Sequence, residues 1–235
     1  FYMSRFRKYL PCMMTILLLL AAYFLPQAGA RWQEAVSTES SMADKGTIVL
    51  DPGHGERDPG MTGSSGVLEK DLNLTYAKKL RELLKQEGYQ VVMTRETDEG
   101  LYDEDASNKK AQDMQRRCAL IEKSNPLLTV SIHQNSYQDP SVKGPQVFYY
   151  EHSAEGQKLA AVIQKQLNEE LTETTAREAK ANSTYYILKQ SKGTAVIVEC
   201  GFLSNPEEEA LLTREDYQNR AVRAICRGIL EYLGN

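Results

Sequence analysis

The alternation of short apolar runs with longer helical periods, which begins at Thr47, most constrains what this chain can fold into. Five runs predict strands, because they are short, rich in β-branched or aromatic residues and bounded by turn residues. These runs are Thr47–Asp51, Tyr89–Thr94, Leu127–Ile132, Gln146–Glu151 and Ala195–Glu199. Helical periods lie between and after them, at 69–87, 106–124, 154–171, 206–212 and 214–233. Such alternation predicts an α/β domain with a largely parallel sheet that helices cover on both faces.

The composition supports one globular domain and excludes several classes of protein. A hydrophobic content of 41% and a charged content of 26% are ordinary for a chain that buries a core. They exclude collagen-like, disordered and polytopic membrane proteins. The chain has 32 acidic against 28 basic residues, a formal net charge of −4, and therefore lacks the basic footprint that a nucleic-acid partner requires.

The N-terminal segment has the pattern of an export signal. Three basic residues precede an apolar run from Cys12 to Leu25, and Ala28-Gly-Ala30 fits the small-x-small site that a signal peptidase cuts. The run is short for a spanning helix, which needs about 20 apolar residues. Residues 1–30 are therefore interpreted as a signal peptide, with an uncleaved membrane anchor as the alternative.

Both interpretations of this segment place the remainder outside the cytoplasmic membrane, at its outer face or in the cell wall. The only membrane contact that we expect is through the N-terminal segment. The polar, Ser-rich residues 31–45 are interpreted as a linker. Residues 46–235 then form a single α/β domain.

Chemically reactive side chains lie at or just beyond the ends of three predicted strands. His54 follows the first strand, His133 the third, and Glu199 closes the last. In open α/β sheets the ligand crevice lies beyond the carboxyl ends of the strands. If the strands are parallel, these three side chains meet at one edge. Glu69 begins a predicted helix after a glycine-rich stretch, which could return its carboxylate to the same edge.

Two imidazoles and a carboxylate are the protein ligands of many catalytic zinc sites, which keep the fourth position for water or substrate. The spacing alone is weak evidence, since a single histidine is often a hydrogen-bonded structural residue. Glu199 is costly to bury unless it has a partner or a function. It could pair with a lysine or arginine, or it could act as a general base and acid.

Four short motifs, in order and with plausible gaps, resemble the zinc-dependent N-acetylmuramoyl-L-alanine amidases. The similarity covers about residues 47–233. The motifs are Asp51-Pro-Gly-His-Gly55, Gly66-Val-Leu-Glu-Lys-Asp-Leu-Asn-Leu74, Ser131-Ile-His-Gln-Asn-Ser136 and Val198-Glu-Cys-Gly-Phe-Leu-Ser-Asn-Pro206.

The resemblance implies a mixed, mostly parallel twisted sheet flanked by helices. It implies a Zn²⁺ cofactor held by His54, Glu69 and His133, with Glu199 as the catalytic carboxylate. We also assign substrate binding to Asn135 and Arg95. The implied reaction hydrolyses the amide between the lactyl group of N-acetylmuramic acid and L-alanine, in peptidoglycan glycan strands that carry stem peptides.

Within the family, the small size and the N-terminal signal or anchor most resemble the CwlD-type amidases of spore formers. That subgroup strips stem peptides as the first step toward muramic δ-lactam in the spore cortex. It implies a location between the forespore membranes and an accessory lipoprotein activator. Two alternatives stay open: a zinc peptidase that acts within the stem peptide, and a catalytically silent wall-binding or partner-regulating module.

The sequence departs from the family pattern at two positions. Glu56 replaces a glycine that usually follows the His-Gly pair, which affects the backbone geometry expected of that loop. Cys200, beside the catalytic carboxylate, replaces a residue that is more usually apolar, and we expect its side chain to face away into the core.

Overall fold

The computed structural model describes residues 45–234, so the predicted segment 1–30 and nearly all of the predicted linker lie outside the described residues. Within residues 45–234, no helix is both long enough and apolar enough to cross a membrane.

The described chain contains six strands and six helices. The strands are β1 (Thr47–Pro52), β2 (Gln90–Met93), β3 (Leu128–Asn135), β4 (Gln146–Tyr150), β5 (Lys180–Asn182) and β6 (Ala195–Phe202). The helices are α1 (Glu69–Gln86), α2 (Lys109–Ser124), α3 (Ala154–Glu170), α4 (Tyr186–Gln190), α5 (Pro206–Leu212) and α6 (Glu215–Leu233).

The strands form one sheet in the order β2-β1-β3-β6-β4-β5. Four neighbouring pairs are parallel, and only β4 runs antiparallel to its neighbour β6. The prediction of a single α/β domain with a mixed, mostly parallel sheet is therefore confirmed. The parallel run β1-β3-β6 brings the carboxyl ends of three strands side by side.

Helices cover both faces of the sheet. Because successive side chains of a strand point to opposite faces, one strand contributes to the core on each side. In β1, Ile48 and Leu50 pack in the larger core with α1, α3 and α6, whereas Val49 packs in the smaller core with Ile121 of α2 and Ile187 of α4. Burial on both faces explains why the central strands are continuous apolar runs.

The main differences from prediction lie at element ends. Strands β3 and β6 continue past His133 and Glu199, because these two residues are register partners and the ladder extends beyond them. Helix α2 begins three residues later than predicted, since the Asn108 side chain caps it by accepting from the Ala111 amide at 3.0 Å. The short elements β5 and α4 were not predicted, because three and five residues are too few to show a period.

Candidate metal centre

The site lies at the carboxyl edge of β1, β3 and β6, as the sequence predicts. His54 follows β1, His133 lies within β3, Glu199 lies within β6, and Glu69 is the first residue of α1. All four side chains line an open cavity of about 980 Å³. The beginnings of α2 and α4 form other parts of its wall.

Three of these side chains converge on one point. Oε1 of Glu69 lies 3.1 Å from Nε2 of His54 and 3.0 Å from Nδ1 of His133. The donor atoms of the three residues all lie within 4.8 Å of one another. A tetrahedral zinc ion with bonds of about 2.0–2.1 Å separates its ligand atoms by about 3.3 Å. The group can therefore hold a small divalent ion.

Both carboxylate oxygens of Glu69 accept hydrogen bonds from backbone or side-chain groups. Oε2 accepts from the Met61 amide at 2.8 Å, and Oε1 accepts from the Gln134 amide at 3.2 Å and the Asn73 side chain at 3.3 Å. Burial alone would raise the pKa of Glu69, but the hydrogen bonds and charges of the two histidines outweigh it and hold that pKa far below its usual range. The carboxylate is therefore charged and ready to bind a cation.

His133 shows the complementary effect. Burial lowers the pKa of an imidazole, but the hydrogen bond that His133 donates to Glu69 and the charges of the nearby carboxylates outweigh burial here, so that the pKa of His133 is raised. Without a metal ion, the Glu69 carboxylate thus favours the protonated form of His133.

Two glycines leave room for the converging ligands. A β-carbon on Gly53 would lie 2.1 Å from the His133 ring. A β-carbon on Gly60 would lie 2.4 Å from Oε2 of Glu69, and Gly60 also has a φ of +67°, which favours glycine. Any larger residue at either position would displace a ligand.

The loop that carries His54 is held by two buried arginines. His54 has a φ of 61°, in the left-handed region that non-glycine residues seldom occupy. Arg95 donates to the carbonyl oxygens of Pro52 and Gly53, both at 3.0 Å. Arg117 donates to the carbonyl oxygens of Pro52 at 2.8 Å and His54 at 2.7 Å. The arginines thereby hold three consecutive carbonyl groups and fix the strained turn.

Arg117 in turn pairs with Asp51, which is buried below the turn. Nη1 of Arg117 lies 2.8 Å from Oδ1 of Asp51, and Ser131 and Thr94 each donate to the carboxylate at 2.6 Å. Burial raises the pKa of Asp51, but the Arg117 charge and these donors outweigh it and lower the pKa to about 2. A charged pair thus lies beneath the His54 turn.

Of the two residues that were assigned to substrate binding, only one lines the cavity. Asn135 lines the cavity. Arg95 is only 2% exposed, lies outside the cavity wall, and directs its guanidinium at backbone carbonyl groups. The geometry gives Arg95 a supporting role behind His54 instead of the substrate contact expected from the sequence.

Sequence reasoning also missed Asp58. Its Oδ1 lies 3.0 Å from Nδ1 of His54, at ion-pair distance although not aligned as a hydrogen bond. A carboxylate behind a metal-binding imidazole commonly orients the ring. The only sequence signal was its place four residues after His54.

Glu199 differs from the ligands in its surroundings. It is 6% exposed and lies beside His133, its register partner. Its Oε2 is buried and has no hydrogen-bond partner among residues 45–234. Burial raises its pKa to about 7, with a further increase from the Glu69 charge that the histidines oppose. None of the ion pairs among residues 45–234 includes Glu199, so the alternative of a lysine or arginine partner has no support there, and the surroundings favour the expected proton-transfer group.

The two departures from the family pattern are both accommodated. Glu56 has a φ of 47°, and its backbone is held by the Asp98 carboxylate at 2.7 Å and the Lys70 ammonium at 2.8 Å. Its side chain accepts from the Tyr102 hydroxyl. Cys200 is fully buried in the larger core, as expected, on the opposite face of β6 from Glu199.

Comparison with known proteins identifies the family. The family model described as N-acetylmuramoyl-L-alanine amidase matches residues 48–231. The chain is 40% identical over 188 residues to the germination-specific N-acetylmuramoyl-L-alanine amidase of Bacillus subtilis, covering 79% of this chain and 78% of that protein.

Solved structures agree with this match. The CwlD amidase from Clostridioides difficile, solved in complex with the GerS lipoprotein, aligns with a TM-score of 0.78 and 38% identity over 81% of this chain and 99% of that one. The amidase AmiC2 of Nostoc punctiforme aligns with a TM-score of 0.71 and 34% identity over 80% and 97% of the two chains. The chain therefore belongs to the N-acetylmuramoyl-L-alanine amidase family of hydrolases.

Proposed function

We propose that this chain is a zinc-dependent amidase that hydrolyses the bond between the lactyl group of N-acetylmuramic acid and the L-alanine of the stem peptide. One observation carries the proposal. Nε2 of His54 and Nδ1 of His133 lie 3.1 and 3.0 Å from Oε1 of Glu69. On the neighbouring strand, Oε2 of Glu199 is buried and has no hydrogen-bond partner among residues 45–234. Two histidines and one carboxylate form a donor set that suits zinc.

The proposed roles follow from the positions of the side chains. His54, Glu69 and His133 hold the ion. When bound, zinc acts as a Lewis acid that polarises a carbonyl group and makes water a better nucleophile at neutral pH. Glu199 takes a proton from the attacking water and delivers it to the leaving amine of L-alanine. Its pKa of about 7 suits both directions of transfer.

The substrate is expected to lie along the cavity. Asn135 follows His133 by two residues and lines the same wall, so we propose that its side chain contacts the substrate. Arg95 acts through the His54 turn and is a positioning residue.

Release of stem peptides from peptidoglycan tests the proposed function. The wild-type chain should release free stem peptides whose N-terminal residue is L-alanine, and Glu199→Gln should release at least about 100-fold less. Glu207→Gln is a matched control, because Glu207 lies on the surface of α5 and pairs with Lys143.

Mass analysis of the products separates the alternatives. An amidase leaves a bare lactyl group on the glycan, whereas a peptidase acting within the stem leaves L-alanine attached. Equal release by wild type and Glu199→Gln would contradict the proposal. Absence of both product and bound zinc would favour the silent wall-binding module.

We also propose a role in spore cortex maturation, toward muramic δ-lactam, with export directed by residues 1–30 and an accessory lipoprotein as partner. Support comes from the germination-specific relative and from the structure solved with the GerS lipoprotein. The proposed location is the space between the forespore membranes, and the proposed catalytic domain is 46–235. Expression in a spore former that lacks its own germination-specific amidase should restore muramic δ-lactam, and Glu199→Gln should not.

A further inference from the structure

A second buried carboxylate, which does not line the cavity, contacts the segment that leads into Glu69. Glu209 lies on α5 and is 4% exposed. Each of its oxygens accepts two hydrogen bonds, from the amide at 2.9 Å and the hydroxyl at 2.5 Å of Ser64 on one side and of Ser65 on the other. No described cation pairs with Glu209, so these four donors alone stabilise its charge.

The contact is close enough to require a glycine. A β-carbon on Gly63 would lie 2.4 Å from Oε1 of Glu209. The neighbouring serines are themselves exposed, so the segment that they form lies on the surface and its tip is held by a buried acceptor. The sequence Gly-Ser-Ser thus provides the room and all four donors for one carboxylate.

This segment is the ligand hairpin, residues 61–69, which ends at the metal ligand. Thr62 and Leu68 form an antiparallel bridge. At its open end, the Met61 amide donates to the Glu69 carboxylate at 2.8 Å, and the Glu69 amide donates to the Met61 carbonyl at 2.9 Å. Displacement of the tip would therefore shift the amide that orients the ligand carboxylate.

Helix α5, which carries Glu209, is itself held by hydrogen bonds. The adjacent Glu208 is 1% exposed and accepts from the Phe202 amide at 2.7 Å and the Gly144 amide at 3.0 Å, so that α5 is fastened to the end of β6. Glu199 lies on the same strand. Helix α5 thus joins the ligand hairpin to the strand that carries the proposed proton-transfer group.

From these contacts we infer that Glu209 is a positioning residue for metal binding: it fastens Ser64 and Ser65 and so holds the ligand hairpin with the Glu69 carboxylate aimed at the ion. This inference rests on the proposed zinc chemistry and extends it to a residue that touches neither metal nor substrate. Groups that hydrogen-bond directly to a metal ligand commonly change metal affinity by about 10–100-fold. Glu209 acts through the backbone of the ligand hairpin, so its effect should lie near the lower end of that range.

Zinc affinity, measured by competition with a chromophoric chelator, tests this inference. Glu209→Ala should bind Zn²⁺ at least about 10-fold more weakly than wild type. Glu209→Gln, which keeps one acceptor oxygen, should lose less. Removing both hydroxyls with Ser64→Ala/Ser65→Ala should also weaken binding, while Glu207→Gln on the exposed side of α5 should match wild type.

A role in folding alone would give a different result. The melting temperature of the metal-free Glu209→Ala protein would then fall while its zinc dissociation constant stayed within about twofold of wild type, and that outcome would overturn the inference. If Glu209→Ala does not fold, the double serine variant decides in the same way. A wild-type chain that binds no Zn²⁺ would instead overturn the proposed function itself.

Discussion

The ligand side of the site and the Glu199 side lie a few ångströms apart but are built in opposite ways. On the ligand side, the backbone around His54 is held by two arginines, and Glu69 is held by amide and side-chain donors. On the other side, Glu199 is buried with one oxygen unpartnered among the described residues. Metal ligands must keep their geometry, whereas a proton carrier must exchange its hydrogen-bond partner, and each environment suits the role proposed for it.

The largest expected effect comes from breaking the ligand side. His133→Ala should abolish tight zinc binding and reduce amide hydrolysis to background, because only two ligands remain. Glu199→Gln should keep zinc while losing about 100- to 10,000-fold in rate. Metal content after gel filtration, measured beside product release, checks both expectations. Equal loss of zinc in the two variants would contradict the assignment of metal binding to His133 and of proton transfer to Glu199.

The second effect concerns the support beneath His54. Arg117→Ala leaves Asp51 buried without its counter-charge, and such losses cost about 3–5 kcal/mol of unfolding free energy. Arg116→Ala is a matched control, since Arg116 forms an exposed pair with Asp103, and exposed ion pairs add little to stability. Urea unfolding of the metal-free proteins measures both. Similar small losses would show that the buried pair does not support the turn.

The third effect is an increase in the unfolding free energy. Because the pKa of Glu199 is raised from 4.5 to about 7, the folded state binds its proton more tightly, and the unfolding free energy falls as pH rises between these values. Glu199→Gln should therefore stabilise the metal-free protein by about 3 kcal/mol at pH 8. The difference should vanish near pH 4. Thermal unfolding at both pH values checks this, and equal melting temperatures at pH 8 would contradict it.

The smallest effect is a pH dependence of metal binding. Zinc requires neutral imidazoles, and the raised pKa of His133 makes protons stronger competitors. Because that pKa lies above the ordinary imidazole value of about 6.5, affinity and activity should already be falling at pH 6.5 and should continue to fall below it, by at least about tenfold per pH unit. Zinc dissociation constants at several pH values test this, and a flat activity profile down to about pH 4 would contradict it.

The sheet and the position of the site could be predicted because both depend on short-range patterns. A parallel strand buried on both faces is a continuous apolar run, and a reactive residue at its end lies at the carboxyl edge once the strands are parallel. Glu69 was harder to place, since only the glycine-rich stretch and the family motifs pointed to it.

The supporting residues could not be predicted, because the sequence does not show where a long polar side chain points. Arg95 could reach a substrate or the backbone equally well, and the fold directs it to the backbone. The contact between Glu209 and Ser64 joins residues 145 positions apart. Such contacts depend on how the finished elements pack.

For anyone who redesigns this site, Gly53 leaves almost no freedom. The His133 ring occupies the space where any other amino acid would begin its side chain, so even the addition of one methyl group collides with a ligand. A library built around this site should therefore leave that codon unchanged and place its diversity at Tyr186, the first residue of α4. Tyr186 lines the cavity and is 42% exposed.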